Sequence, residues 1–191
     1  SAKWISDKRF IELPLINVFH KQNDNSRAAS HRPDLKNQHM YVRRTFELSQ
    51  PVNHAHLDIS ADDYYKLYIN GRFVGQGPAP AYSFNYNYNR FDVSQYLCSG
   101  HNVIAVHVYY QGLVNRVWNS GDYRQGMIAE LFLEDVLVLA TDSAWRSIIA
   151  REYTGTRVFG YETQFVEDID ERLKVRGWRE TEFDDGEWEL A

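Results

Sequence analysis

The sequence predicts an all-β fold, an antiparallel β-sandwich, on three observations. No window of a dozen residues shows apolar spacing at i, i+3, i+4 and i+7, so helical periodicity is nearly absent. Short runs with two-residue alternation recur from end to end. Asn70-Gly71, the dipeptide that best tolerates the two positive φ angles of a type I′ turn, lies between β-branched and aromatic runs and predicts a tight hairpin.

The elements follow in chain order. Phe10 to Phe19 reads as a first strand, and Lys21 to Lys36, polar and interrupted by Pro33, as a long loop or short helix. Tyr41 to Leu48 and His54 to Ile59 alternate as strands. In the hairpin of Tyr64 to Ile69 and Arg72 to Val74, a two-residue loop sets Ile69 against Arg72, Tyr68 against Phe73 and Leu67 against Val74. Leu67, Ile69 and Val74 then share one face, and Tyr68 and Phe73 the other. Gly75, Gly77, Pro78 and Pro80 break the ladder beyond it. Phe91-Asp92-Val93 with Tyr96-Leu97 predicts a helical turn capped by Asp92 or Ser94 and stopped at Gly100. From Asn102 to Tyr110, Ile104, Val106 and Val108 point one way and Val103, Ala105 and His107 the other, which marks a central strand covered on both faces. His107 is read there as a satisfied core residue. Met127 to Leu133, Val136 to Ala140, Trp145 to Ala150 and Gln164 to Ile169 complete the strands.

At 191 residues the chain is long enough for one well-buried core and is expected to be one domain. A net charge of -5, with 21 basic residues scattered among 26 acidic ones, argues against a nucleic-acid partner, whose phosphates require clustered Lys and Arg. No apolar run approaches the roughly 20 residues of a membrane helix, so no membrane partner is expected. The single cysteine, Cys98, excludes an internal disulfide and a Cys-rich zinc site, and is expected to fill apolar space. Ser1-Ala2 reads as an excision or tag remnant, and the chain is expected to continue past Ala191. The 13 Tyr, 10 Phe and 5 Trp supply flat apolar faces with polar tips, suited equally to a sandwich core and to stacking on sugar rings.

Two acidic groups are candidates for a hard cation such as calcium, which gathers several oxygens. They are Asp62 with Asp63, and Asp168 with Asp170, which period two places on one side of an edge strand with Glu167 opposite. The competing explanations are turn capping and a solvated edge that discourages aggregation. A glycosidase pair would need a deep pocket with one raised pKa, and no such arrangement is visible. Tyr82, Phe84, Tyr86 and Tyr88 alternate with Ser83, Asn85, Asn87 and Asn89, a stripe that fits either a saccharide or an interface, the interface being the commoner use. Tyr109, Tyr110, Gln111, Gly112, Asn115, Arg116, Trp118, Asn119, Asp122 and Arg124 form a polar and aromatic loop that suits a sugar or a neighbouring domain equally. His54 and His56 share a strand face, but no third ligand is placed, so they are read as structural.

The order of segments resembles the N-terminal β-sandwich domain of bacterial α-L-rhamnosidases, among the galactose-binding-like jelly rolls attached to glycoside hydrolases. The residues that carry the resemblance are Trp4-Ile5, Tyr41 to Phe46, Ala61-Asp62-Asp63-Tyr64, Tyr68-Ile69-Asn70-Gly71 with Val74-Gly75, and Gly77-Pro78-Ala79-Pro80. Phe91-Asp92-Val93, Gly100 with Asn102, Gly121-Asp122 with Arg124, and Thr141-Asp142 with Trp145 continue it. Glu167 with Asp170, Gly177-Trp178, and Phe183-Asp184-Asp185 with Trp188 complete it. The resemblance implies a jelly-roll accessory domain without catalytic residues, whose hydrolytic carboxylates belong to a separate helical (α/α) barrel of the same parent chain. It also implies that such sandwiches either bind rhamnose, some with calcium, or only pack against the catalytic domain. The candidate carbohydrate-binding set is Tyr110, Asn115, Trp118, Asp122, Arg124, Glu167 and Asp170, and the candidate calcium set is Asp62, Asp63, Asp168 and Asp170. Asp170-Glu171-Arg172 departs from the family's Asp-Ala-Arg or Asp-Asn-Arg at its middle position.

Overall fold

Residues 1–11, 13, 33–81, 85–112, 124–160 and 164–191 are described by a computed structural model of the chain. In chain order the strands are β1 (Gln38–Leu48), β2 (Ala55–Asp62), β3 (Tyr64–Ile69), β4 (Arg72–Gly77), β5 (Asn89–Asp92) and β6 (Gly100–Tyr110). They continue with β7 (Gly126–Leu133), β8 (Val136–Ala140), β9 (Arg146–Ile149), β10 (Val158–Phe159), β11 (Gln164–Phe165) and β12 (Glu189–Leu190). Two antiparallel sheets carry the jelly-roll sandwich, one of six strands in the order β12-β9-β1-β6-β3-β4 and one of four in the order β5-β2-β7-β8. β10 and β11 form a separate two-stranded ribbon.

The alternation along β6 decides what lies where. Ile104, Val106 and Val108 face inward with Met40 and Val42 of β1 and Leu67 and Ile69 of β3, and meet Leu57 and Ile59 of β2 and Ala129 and Leu131 of β7. Each fully buried aliphatic side chain there contributes about 1.5–3 kcal/mol, so this inter-sheet layer dominates the fold. On the opposite face of the same strand, Val103 and Ala105 are equally enclosed, under Tyr41, Ala150, Trp178 and Trp188. The six-stranded sheet is therefore apolar on both sides at its centre, and its outer side needs a cover of its own.

That cover is the C-terminal segment, and Arg43 holds it. Arg43 points outward from β1, yet it is completely buried. Its guanidinium donates to the carbonyls of Phe183 (2.7 Å) and Glu180 (2.9 Å), pairs with Asp185 at 3.0 Å, and lies over the Phe183 ring. Trp178 stacks on Tyr41 with centroids 4.1 Å apart, and Phe183 meets Trp188 edge-on. The Asn70-Gly71 turn joins the same arrangement, because the Gly71 amide donates to the Arg179 carbonyl.

Most strands coincide with the sequence reading, and the differences have local causes. Asn70 and Gly71 both take positive φ, and Ile69 faces Arg72 and Tyr68 faces Phe73 as the I′ turn requires. A bulge between Leu67 and Tyr68 then sets Leu67 against Gly75 rather than Val74. A Cβ on Gly75 would lie 2.4 Å from the Phe91 ring, so the glycine is what lets β5 approach. Phe91 and Asp92, expected to open the helical turn, instead end β5. That turn exists as Ser94–Tyr96, with Asp92 accepting from the Ser94 amide and hydroxyl. The expected strand from Phe10 begins instead as the end of a 3-10 turn, Lys8–Phe10, with Phe10 packed edge-on against Tyr110; residues 14–20 lie outside the described residues. The strand expected to Ile169 stops at Phe165. Cys98 is exposed, where an apolar filler was expected.

Arg43→Met is expected to lower stability by about 2–3 kcal/mol, since two carbonyls lose a charged donor. A lower urea midpoint together with proteolytic cleavage confined at first to residues 170–191 checks this, because loss of the cover precedes loss of the sandwich.

Candidate functional site

The C-terminal segment covers one end of the outer face of the six-stranded sheet. Over the other end lies a cavity of about 600 Å³. Its floor comes from the outward-pointing residues of three adjacent strands: His39 of β1, His107 and Tyr109 of β6, and Tyr64 and Lys66 of β3. Pro78 and Ala79 beyond β4 form one rim, and Tyr153 with the stretch Val166 to Asp168 forms another. Gly155 allows that second rim to close in, since a Cβ there would lie 2.1 Å from the Val166 carbonyl oxygen.

Four rings run in a row from the floor to the second rim. Tyr64 stacks on Tyr109 at 6.4 Å, Tyr109 on His39 at 4.4 Å, and His39 on Tyr153 at 3.7 Å with planes only 8° apart. Burial pushes the phenols of Tyr64 and Tyr109 up, Tyr64 to about 12, so both are neutral hydroxyls. The two histidines are neutral as well. Burial, reinforced by His107 and Lys66, pushes His39 down to about 2, and burial with Lys66 pushes His107 down to about 3. His39 Nδ1 and His107 Nε2 stand 2.9 Å apart, which requires one of them to donate and the other to accept. Whichever donates, the pair keeps one further N–H and one further lone pair on its remaining nitrogens. Lys66, Gln76, Asn37 and Gln111 add donors, and Glu167 and Asp168 add acceptors. The result is a partly aromatic hollow that offers donors and acceptors around a mostly uncharged floor.

The sequence-predicted residues divide sharply. Glu167 and Asp168 line the cavity together, because the chain is irregular after Phe165 and strand alternation no longer separates them. Asp170 is turned away: its carboxylate accepts from its neighbour Arg172 at 2.8 and 2.6 Å and from that residue's amide. Arg172 holds it below the usual carboxylate range. Tyr110 is fully enclosed on the inner face against Phe10, which leaves it no ring face for a sugar. Arg124 is half-buried before β7 and is not among the cavity walls. Asn115, Trp118 and Asp122 lie outside the described residues, as do Tyr82 and Phe84. Of the aromatic stripe, Tyr86 packs on Trp4 (4.9 Å) and donates its hydroxyl to Asp62, a structural use, while Tyr88 is exposed.

Asp62 and Asp63 are buried at the end of β2, with Asp63 accepting from the Gln111 amide at 2.7 Å. Burial, then the charge of Asp62 and a hydrogen bond to it, raises Asp63 well above its ordinary value. Among the described residues, neither this pair nor Asp168 and Asp170 belongs to a convergent group of three metal-ligating side chains. Sequence reasoning missed His39, Tyr64, Lys66 and Tyr153, and it grouped Tyr109 with Tyr110 in one loop, although parity along β6 continued past His107 separates them.

The family model described as "Alpha-L-rhamnosidase N-terminal domain" matches residues 50–191. The chain is similar over 99% of its length to the GH78 family rhamnosidase of Bacillus sp. GL1, with a TM-score of 0.77 and 28% identity. It is similar in fold to the α-L-rhamnosidase of Aspergillus terreus, with a TM-score of 0.65, 22% identity and 99% of the chain covered. It spans only 18% and 20% of those two chains. A lectin of Pleurotus ostreatus solved in complex with GalNAc shares the fold at a TM-score of 0.53 and 17% identity, over 99% of this chain and 40% of that one. No curated protein matches the chain.

The histidine pair makes stability fall in acid. Between pH 6.5 and their depressed values, an unfolded chain binds protons at both rings and the folded chain does not, so stability is complete above pH 6.5 and lost as pH drops. Each ring accounts for about 2 kcal/mol between pH 7 and pH 5, while Asp63, raised rather than lowered, has the opposite slope. His107→Gln is therefore expected to shrink the loss of stability between pH 7 and pH 5 by about 2 kcal/mol, read from urea midpoints of both proteins at each pH.

Proposed function

The chain belongs to the α-L-rhamnosidase N-terminal domain family, and from that premise we propose that it is a non-catalytic accessory domain that binds a neutral carbohydrate in the cavity above Tyr64, Tyr109, His39 and Tyr153. The carrying observation is the pairing of that ring row with uncharged donors and acceptors in a hollow of about 600 Å³, a volume within the range of small-ligand sites. Tyr64 and Tyr153, the half-buried ends of the row, offer ring surface to the C–H side of a pyranose, and hydroxyl groups, which both donate and accept, suit the neutral histidine pair and the amides of Gln76 and Gln111. The catalytic domain of the parent chain is its covalent neighbour, and a rhamnose-containing glycan is the ligand this reading favours.

The same cavity speaks against hydrolysis by this chain. Glu167 and Asp168 are exposed neighbours on one rim, whereas a glycosidase needs two carboxyls facing each other across the bond, one of them buried enough to hold its proton. Asp62 and Asp63 are adjacent carboxyls too, but they are sealed from solvent.

A purely structural module is the second reading, and one surface favours it. Val136, Leu137 and Val138 of the edge strand β8 are all exposed, an apolar strip on which another domain could rest.

Titration with L-rhamnose and a rhamnosylated oligosaccharide, followed by Tyr and Trp fluorescence and by amide shifts, is expected to saturate with a Kd of about 1 mM. Tyr153→Ala is expected to weaken binding about five- to tenfold and Trp4→Ala, on the far sheet, to leave it unchanged. Absence of any saturable change at about 50 mM sugar refutes the binding reading and leaves the structural one.

A further inference from the structure

We propose that His54, His56 and Asp135 form a binding site for a divalent transition-metal ion, of which zinc is the representative, on the outer face of the four-stranded sheet. The site lies on the other sheet from the sugar cavity and does not depend on it.

The placement starts with parity. Ala55 is fully buried toward the core, so His54 and His56, on either side of it, both point outward from the start of β2. His56 is held in place: its ring stacks on Phe132 of β7 with centroids 4.8 Å apart and planes 13° apart, and it is buried. The third group arrives by way of a turn. Glu134 and Asp135 join β7 to β8 in left-handed conformations, with φ of 46° and 63°. That turn is clasped to β2 from both sides, since the Glu134 amide donates to the His54 carbonyl at 3.0 Å and the His54 amide donates to the Glu134 carboxylate at 3.1 Å. The clasp carries Asp135 over the histidines.

One nitrogen from each ring and one carboxylate oxygen lie within 4.8 Å of one another. His56 Nδ1 and Asp135 Oδ1 are 3.9 Å apart, too far for a hydrogen bond and close to the separation of two atoms that share a metal ion. Bonds of about 2.0–2.2 Å in a tetrahedral site bring ligand atoms to about 3.3–3.5 Å from one another, so closure needs only rotation of His54 and Asp135, both exposed, about the fixed His56. Two imidazoles and one carboxylate select zinc, copper or nickel over calcium and magnesium, and leave a coordination position for water. Asp92, opposite His56 on β5, adds negative charge beside the site.

Isothermal titration of the whole chain with zinc at neutral pH, with a chromophoric chelator as competitor, is expected to give about one equivalent bound with a micromolar Kd and a raised melting temperature. His54→Gln, an exposed position that leaves folding intact, and Asp135→Asn are each expected to weaken binding at least about tenfold, while His101→Gln, at an unrelated exposed histidine, changes nothing. Copper added to the wild-type chain is expected to show two-nitrogen hyperfine coupling in electron paramagnetic resonance, reduced to one in His54→Gln. Absence of stoichiometric zinc binding, or binding that survives both substitutions, overturns the assignment.

Discussion

Everything in this molecule turns on a sheet that is apolar on both sides. β6 presents Ile104, Val106 and Val108 to one layer and Val103 and Ala105 to another, so the sandwich core satisfies only half of what the strand requires. The second half is met by a segment with little regular structure of its own, whose carbonyls are gathered by Arg43 and whose Trp178 and Trp188 lie on the sheet. A buried guanidinium is an expensive way to hold a loop, and here the expense is offset by charged hydrogen bonds to two carbonyls and a nearby carboxylate. The segment covers one end of the sheet, and the cavity lies over the other. The cavity is the part of the outer face that the cover does not reach.

That origin explains the cavity's chemistry. Its floor continues the outer stripe of β1, β3 and β6, and along that stripe the residues change from Val103 and Ala105 to His107 and Tyr109, from small and apolar to large and polar-tipped. Partial burial then removes charge from the rings of the floor: the imidazoles lose their protons and the phenols keep theirs, so beside the Lys66 ammonium the rings bond as neutral groups. The outer face of the four-stranded sheet is different in kind. Arg90 meets Asp58 in an exposed bidentate pair, worth little to stability, and the histidines of β2 lie beside it.

Legibility in the sequence followed the range of the interaction involved. The Asn70-Gly71 turn, the two-sided character of β6 and the sandwich itself depend on residues close in the chain, and all were readable. The bulge at Leu67 was not, because it answers to Phe91 approaching Gly75 from another strand. β5 and β12 are too short for alternation to declare them, and each exists by pairing with a strand already in place. For the site, two-residue parity held more information than was drawn from it, since the register that sends Val108 inward also sends Tyr110 inward and Tyr109 outward. Tyr153 and Asp135 had no such signal, as each meets its histidine partner only through the fold.

The strand order of the larger sheet carries a consequence for biosynthesis. β1 is its earliest strand to leave the ribosome, yet its neighbours are β6 and β9, and β9 in turn waits for β12 at residues 189 and 190. Vectorial emergence therefore leaves β1 unpartnered until β6 has emerged, and Arg43 meets its carbonyl acceptors only after residues 180 and 183 are free of the exit tunnel. Non-local pairing of this kind folds slowly and exposes strand edges in the interval.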